Sequence, residues 1–368
     1  MSFTLCLYPN MQNSSLLIMR KHRKRAQFVL FFCIIVLFGG CDPSERAVER
    51  AFYYWRGAYS METVDYEALA DLGVEQLYIR YFDVDWDKEK QYAHPVGRIR
   101  FRDKVPQDSL RIVPTVYITY ACLRALPDSA VLNLGDRIWQ KVEEINRIEQ
   151  VRGAQGLQID CDWTARTKEK YFKLLRHLKG KVSAKGQSLS ATIRLHQIKD
   201  QEASGIPPVE EGLLMCYNIH SPKNPKIQNS IFEKNIAQTY LKRLGNYPLK
   251  LNVALPLFGW SVLFRQGRYI GLIKELRDKD LQGMQEIRKI STNLYLVEEA
   301  FLLKNQYFYI GDIIRVEEVP AYELEEIAQF IDSQLSQDSI CVIFFHYDPT
   351  VLTNYERKDL QSIFHTFE

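Results

Sequence analysis

From residue 51 onward, short apolar runs alternate with longer stretches whose apolar residues recur every three to four positions. The first pattern reads as strands and the second as amphipathic helices. Strands are predicted over 51–57, 74–82, 111–118, 156–164, 188–195, 212–218, 249–259 and 339–346. Helical spacing over 64–72, 132–152, 168–178, 232–244, 321–335 and 355–364 fills most of the gaps. In 132–152 the stripe is Leu134, Ile138, Val142, Ile145 and Ile148, and Gly73 stands in the C-cap place after 64–72. Pro114 is an irregularity for a central strand, because it brings no N–H to the ladder. Parallel neighbours need crossover connections, so eight strands separated by helices predict an α/β fold, a (β/α)8 TIM barrel over 51–368. The rival is a doubly wound open sheet, but no Gly-rich phosphate loop follows the first strand. About 264–320, between strands seven and eight, carries extra pieces such as 306–314 and predicts a small α+β insertion.

The fourth run, Gly156-Leu-Gln-Ile-Asp-Cys-Asp-Trp-Thr164, breaks the apolar pattern. In an extended strand Gln158, Asp160, Asp162 and Thr164 share one face and Leu157, Ile159, Cys161 and Trp163 the other. A strand covered by helices should be apolar on both faces, so acids at its C-terminal end point to a site. The structural alternative is a helix cap or an ion pair with Arg or Lys.

Composition changes the picture mainly at the N-terminus. The formal charge of +3 includes Arg20, Lys21, Arg23, Lys24 and Arg25, with no acid in 1–40. Taking these five from 48 Lys+Arg leaves 43 against 45 Asp+Glu, or −2, which offers no electrostatic case for nucleic acid as a partner. The basic cluster precedes an apolar run over 28–38, the length of a signal-peptide core. That run ends in Leu37-Phe-Gly-Gly-Cys41, which resembles a bacterial lipobox. The expectation is a signal peptide over 1–40 with its start at Met19, a lipid on Cys41, a tether over 41–50 and a place in the bacterial cell envelope. Of seven cysteines, Cys122, Cys161, Cys216 and Cys341 belong to the folded part. Their spacing matches no disulfide framework or metal site, so four buried thiols, no metal and no cofactor are expected.

Three motifs, in order, then carry a resemblance. Gly156-Leu-Gln-Ile-Asp-Cys-Asp162 resembles the fourth-strand signature of family 18 glycoside hydrolases, Gly, apolar, Asp, apolar, Asp, apolar, Glu. Met215-Cys-Tyr-Asn218 resembles their sixth-strand Met-x-Tyr-Asp, and Leu255-Pro-Leu-Phe-Gly259 their seventh-strand motif. The resemblance implies cleavage of an N-acetylhexosamine glycan in which the substrate's own acetamide is the nucleophile and the protein supplies one acid. It puts Asp162 on the proton donor, Asp160 on its modulating carboxylate, and Tyr217 and Asn218 on the groups that hold the acetamide. Gln158, Arg194, Met215 and Trp260 are the expected substrate contacts. The departures are chemical: Asp162 is one methylene shorter than Glu, about 1.5 Å of reach, and misplacement on that scale costs ~10²-fold in rate. Gln158 and Asn218 stand where the family has Asp. A barrel that binds glycan without cutting it is therefore the alternative.

Other residues suit the same rim. Thr192, Arg194 and His196 share a face of the predicted fifth strand, and Trp55, Trp86, Trp163 and Trp260 lie near strand ends, where rings stack on sugars or pack. Asp83, Asp85 and Asp87 read as a solvated acidic loop, since the calcium-loop pattern is incomplete.

Overall fold

The computed structural model describes Met1 and residues 46–106 and 109–368. Apart from Met1, the expected signal peptide, Cys41 and the first half of the tether lie outside the described residues.

Eight parallel strands form the core: β1 (Ala47–Tyr54), β2 (Gln76–Asp87), β3 (Arg111–Ile118), β4 (Gly156–Asp160), β5 (Ser188–Arg194), β6 (Glu211–Met215), β7 (Lys250–Pro256) and β8 (Ser339–Phe345). Each pairs with the next, and β1 pairs with both β8 (Ala51 opposite Ile343) and β2 (Ala51 opposite Gln76). The sheet therefore closes, and the fold is a (β/α)8 TIM barrel rather than a doubly wound open sheet. β1 begins at Ala47 and takes in residues that the sequence pattern assigned to the tether. Arg46 anchors its start by donating to the carbonyls of Gln337 (3.0 Å) and Leu335 (2.7 Å).

Helices α1 (Thr63–Asp71), α2 (Val131–Ile148), α3 (Lys168–Ser183), α4 (Lys234–Leu241), α5 (Ala321–Asp332) and α6 (Arg357–His365) pack outside. In α2 the stripe Leu134, Ile138, Val142 and Ile145 is buried, while Ile148 at its end is exposed. Pro114 sits inside β3, opposite Ile79. The pairing itself slips further on, where Tyr81 in β2 is skipped and its carbonyl accepts from the Ile99 amide at 2.8 Å.

Several strand ends differ from the sequence pattern. β2 runs on to Asp87 and forms an antiparallel hairpin with Tyr92–Val96, so Asp83, Asp85 and Asp87 are strand residues, not a loop. β5 stops at Arg194, and His196 lies on the short helix Leu195–Lys199. β4 and β6 end at Asp160 and Met215, leaving Asp162, Tyr217 and Asn218 on the segments that follow. Between β7 and β8 the chain forms a five-stranded antiparallel sheet from Trp260 to Glu317, with its own apolar centre of Leu263, Leu281, Tyr295, Phe308 and Ile314. Cys122, Cys161, Cys216 and Cys341 are buried free thiols.

Gly156 opens β4 where the backbone of β5 comes close: a Cβ there would lie 2.2 Å from the Ser188 carbonyl oxygen. Gly156→Ala should cost about 1–3 kcal/mol through forced displacement of the two strands, read as a lower urea midpoint with an unchanged slope.

Candidate functional site at the barrel mouth

Inward side chains of neighbouring strands meet at the C-terminal end of the barrel. Gln158 is the deepest of the polar set and is fully buried. Its Oε1 accepts from the Tyr53 hydroxyl across the barrel and from Thr115 Oγ1 (3.4 Å), and its Nε2 donates to Ser190 Oγ (3.4 Å). The amide expected to touch substrate is instead occupied in tying four strands together.

One layer higher, Asp160 is 8% exposed and its Oδ1 accepts from Thr192 Oγ1 at 2.7 Å. Burial pushes its carboxyl up to about 6, against the pull of that hydrogen bond, and the charge of Asp162 adds to the rise. Asp162 is partly exposed, with Oδ1 3.1 Å from Arg194 Nε. Arg194 is braced behind this contact: Nη1 points to Met215 Sδ (3.6 Å), and its backbone N–H donates to the buried Gln197 (2.8 Å). Met215 is thus buried support for Arg194.

Tyr217 is 2% exposed, stacked on Phe345 with centroids 5.0 Å apart and edge-on to Phe258 at 5.8 Å. Its hydroxyl is buried and has no hydrogen-bond partner among the described residues. Burial first, then the charge of Asp160, pushes this phenol well above its ordinary pKa, and Arg194 and Asp162 act on it too. Asp160, Asp162, Arg194 and Tyr217 therefore share one electrostatic neighbourhood. Asn218 follows in the left-handed conformation (φ 56°), which Asn tolerates better than most residues, and is exposed.

Of the candidate stacking rings, Trp163 is packing: it is 1% exposed, stacks on Tyr171 at 5.1 Å, and donates to the Ser204 carbonyl at 2.9 Å. Trp55 and Trp260 are half-buried and join a cluster with Tyr53, Phe258 and Phe345. His196 is exposed by area, yet enough protein surrounds its ring that partial desolvation, followed by the Arg194 charge, lowers its pKa. The β2 acids are already engaged: Asp83 with Arg80, Asp85 with Thr119 Oγ1 (2.7 Å), and Asp87 with the amides of Glu89 and Lys90 (both 2.9 Å). Among the described residues no group of three or more acids, His or Cys is arranged to hold a metal ion. A cleft of about 650 Å³ beside the insertion, lined by Glu233, Asn293 and Glu323, contains none of the mouth residues.

Two contributors escaped the sequence pattern. Phe345 ends β8 and touches Tyr53, Trp55, Tyr217 and Phe258. Tyr117 lies opposite Asp160 in the β3–β4 register, its hydroxyl pushed up by burial and by the charges of Asp162 and Asp160. Both sat inside recognised strands, and only the barrel's closure gives their direction.

Solved structures of the same architecture are similar to this chain. The spore cortex-lytic enzyme SleL of Bacillus megaterium aligns at TM-score 0.55 and 13% identity over 89% of this chain and 76% of its own. A chitinase of Chromobacterium violaceum aligns at 0.51 and 13% over 86% and 99%. The Group IV chitinase of Ostrinia furnacalis gives 0.53 and 11% over 88% and 100%. No protein-family model matches the sequence, and no curated protein matches it. The fold is a divergent TIM barrel like that of the family 18 glycoside hydrolases.

The raised pKa of Asp160 has a measurable consequence. With a folded value of about 6 against an ordinary 3.8, the folded protein keeps this proton at pH values where the unfolded chain has lost it. The contribution is fully present below about pH 4 and is lost as pH rises through about 6, a change of about 3 kcal/mol at most. Asp160→Asn cannot ionise, so its stability relative to wild type should climb by up to that amount between pH 4 and 7, measured by urea unfolding at each pH.

Proposed function

We propose that this protein is a glycoside hydrolase-like barrel that takes an N-acetylhexosamine-containing glycan into its mouth, held to the bacterial envelope by a lipid on Cys41. The observation that carries this reading is the Tyr217 hydroxyl. A buried hydroxyl without a partner costs about 1–3 kcal/mol, and a ligand acetamide oxygen arriving beside Asp160 would relieve that cost. The half-buried rings of Trp55, Phe345 and Trp260 supply flat apolar faces suited to the C–H face of a sugar. The likeness of fold to proteins named chitinases supports the substrate class.

Binding without efficient cleavage is the function the geometry supports best. The candidate donor, Asp162, is the shorter acid, and one of its oxygens is engaged by Arg194 rather than open to a leaving group. Hydrolysis is the second reading, favoured by one observation: Asp160, beside Asp162, titrates near 6 and so can hold a proton in weakly acidic conditions.

Calorimetric titration with chitotetraose and with soluble peptidoglycan fragments, run beside a reducing-end assay, separates these. The wild type should bind at least one probe and release no reducing ends. Tyr217→Phe should weaken binding about 5- to 10-fold through one lost hydrogen bond while keeping or raising the melting temperature. A wild type that binds neither probe overturns the glycan reading. Reducing ends that vanish in Asp162→Asn establish hydrolysis instead. For the anchor, wild-type protein expressed in bacteria should partition into the detergent phase of Triton X-114 and Cys41→Ser into the aqueous phase.

A further inference from the structure

The sheet between β7 and β8 carries two charged side chains with almost no exposure, Arg315 (1%) and Glu317 (0%). Burying a charge pair is costly unless nearly every donor and acceptor is matched, and here they are matched with unusual completeness. Glu317 Oε1 accepts from Arg315 Nε at 2.7 Å. Glu317 Oε2 accepts from the Ser230 amide (2.9 Å), the Ser230 hydroxyl and Trp260 Nε1 (2.8 Å). Arg315 donates three of its four remaining hydrogens to the carbonyls of Asn224 (2.8 Å), Ile227 (3.0 Å) and Pro222 (2.9 Å).

All of those carbonyls and Ser230 belong to the segment that leaves β6 directly after Tyr217 and Asn218. Trp260 lies opposite Glu317 in the antiparallel register of the first and last long strands of the insertion. The Trp260 ring reaches Phe258 at 5.2 Å, and Phe258 reaches both Tyr217 (5.8 Å) and Phe345 (5.6 Å). One carboxylate thus holds the edge of an indole, the segment following β6 and the insertion in a fixed relation, next to the buried hydroxyl of the mouth.

We infer that Glu317 is a positioning residue for the glycan site: it holds the Trp260 ring by its N–H edge, so that the ring's face serves as a rigid stacking wall. This rests on the glycan reading above and adds the residue that determines how well the wall is formed. The chemistry is specific to a carboxylate. Both oxygens receive only donors, so a glutamine would have to turn its NH2 toward either Arg315 or the Ser230 and Trp260 hydrogens.

The test is a double-mutant cycle in the full chain, with the probe that the wild type binds, using Trp260→Phe, Glu317→Gln and the pair. Trp260→Phe alone should weaken binding about tenfold, and so should Glu317→Gln in the native background. In the Trp260→Phe background Glu317→Gln should change binding less than twofold, because its effect acts through the missing ring. Acrylamide quenching, referenced to Trp260→Phe, should show Trp260 more accessible in Glu317→Gln. If Glu317→Gln does not fold, Ser230→Ala, which removes one hydroxyl from the same carboxylate, replaces it with a smaller effect of the same pattern. Equal loss from Glu317→Gln in both backgrounds, or unchanged binding by Trp260→Phe, overturns the inference. A failed glycan reading is distinguishable, since the wild type then binds neither probe while the change in Trp260 accessibility is still measurable without ligand.

Discussion

Closing eight parallel strands into a ring leaves the inward side chains of β4 no route to bulk water except through the ends of the barrel. That constraint organises the whole mouth. Gln158, at the depth where water is excluded, has to spend its amide on Tyr53, Thr115 and Ser190. Asp160, one layer higher, accepts from Thr192 and carries the cost of its burial as a raised pKa. Asp162, beyond the end of the strand, is partly hydrated and pairs with Arg194. Three polar residues at alternate positions thus have three different chemistries, set by their depth in one bowl.

The same closure brings Tyr217 beside them without giving its hydroxyl a partner among the described residues. Native interiors seldom leave such a group unpaired. Around it, Phe345, Phe258, Trp55 and Trp260 pack as a cluster of mutually tilted apolar rings, while Asp160, Asp162 and Arg194 provide charge on one side. A surface with an apolar face and a polar edge matches the two sides of a pyranose ring. Fold likeness alone says nothing about activity; the weight lies on these side chains, and Arg194 against Asp162 bears most directly on whether a bond is broken.

Two buried charges join the sheet between β7 and β8 to the segment that follows the sixth-strand residues. Arg315 and Glu317 bond to the segment after β6 as well as to each other, so the outer wall and the strand-six residues are one unit. Removing one member of such a pair is far more disruptive than its surface share suggests, since the other is left charged and dry.

Much of this was legible in the sequence, for a local reason. Periodicity depends on near neighbours along the chain, so all eight barrel strands, the α2 stripe and the polar interruption at Gln158, Asp160 and Asp162 could be read without a structure. Strand ends were less accessible: β5 stops at Arg194 and turns His196 onto a helix, and β2 continues through three acids because Tyr92–Val96 pairs with it. Both outcomes depend on partners distant in sequence. Directions and partners were not accessible at all. Nothing local distinguishes Trp163, packed on Tyr171, from Trp260, held by Glu317 at the rim, or indicates that Phe345 would lie against Tyr217. By itself the sequence determined which residues were candidates and roughly where in the barrel each resides. Only the tertiary structure decided which of them meet, because side-chain direction, burial and pairing are set by the closure of the sheet.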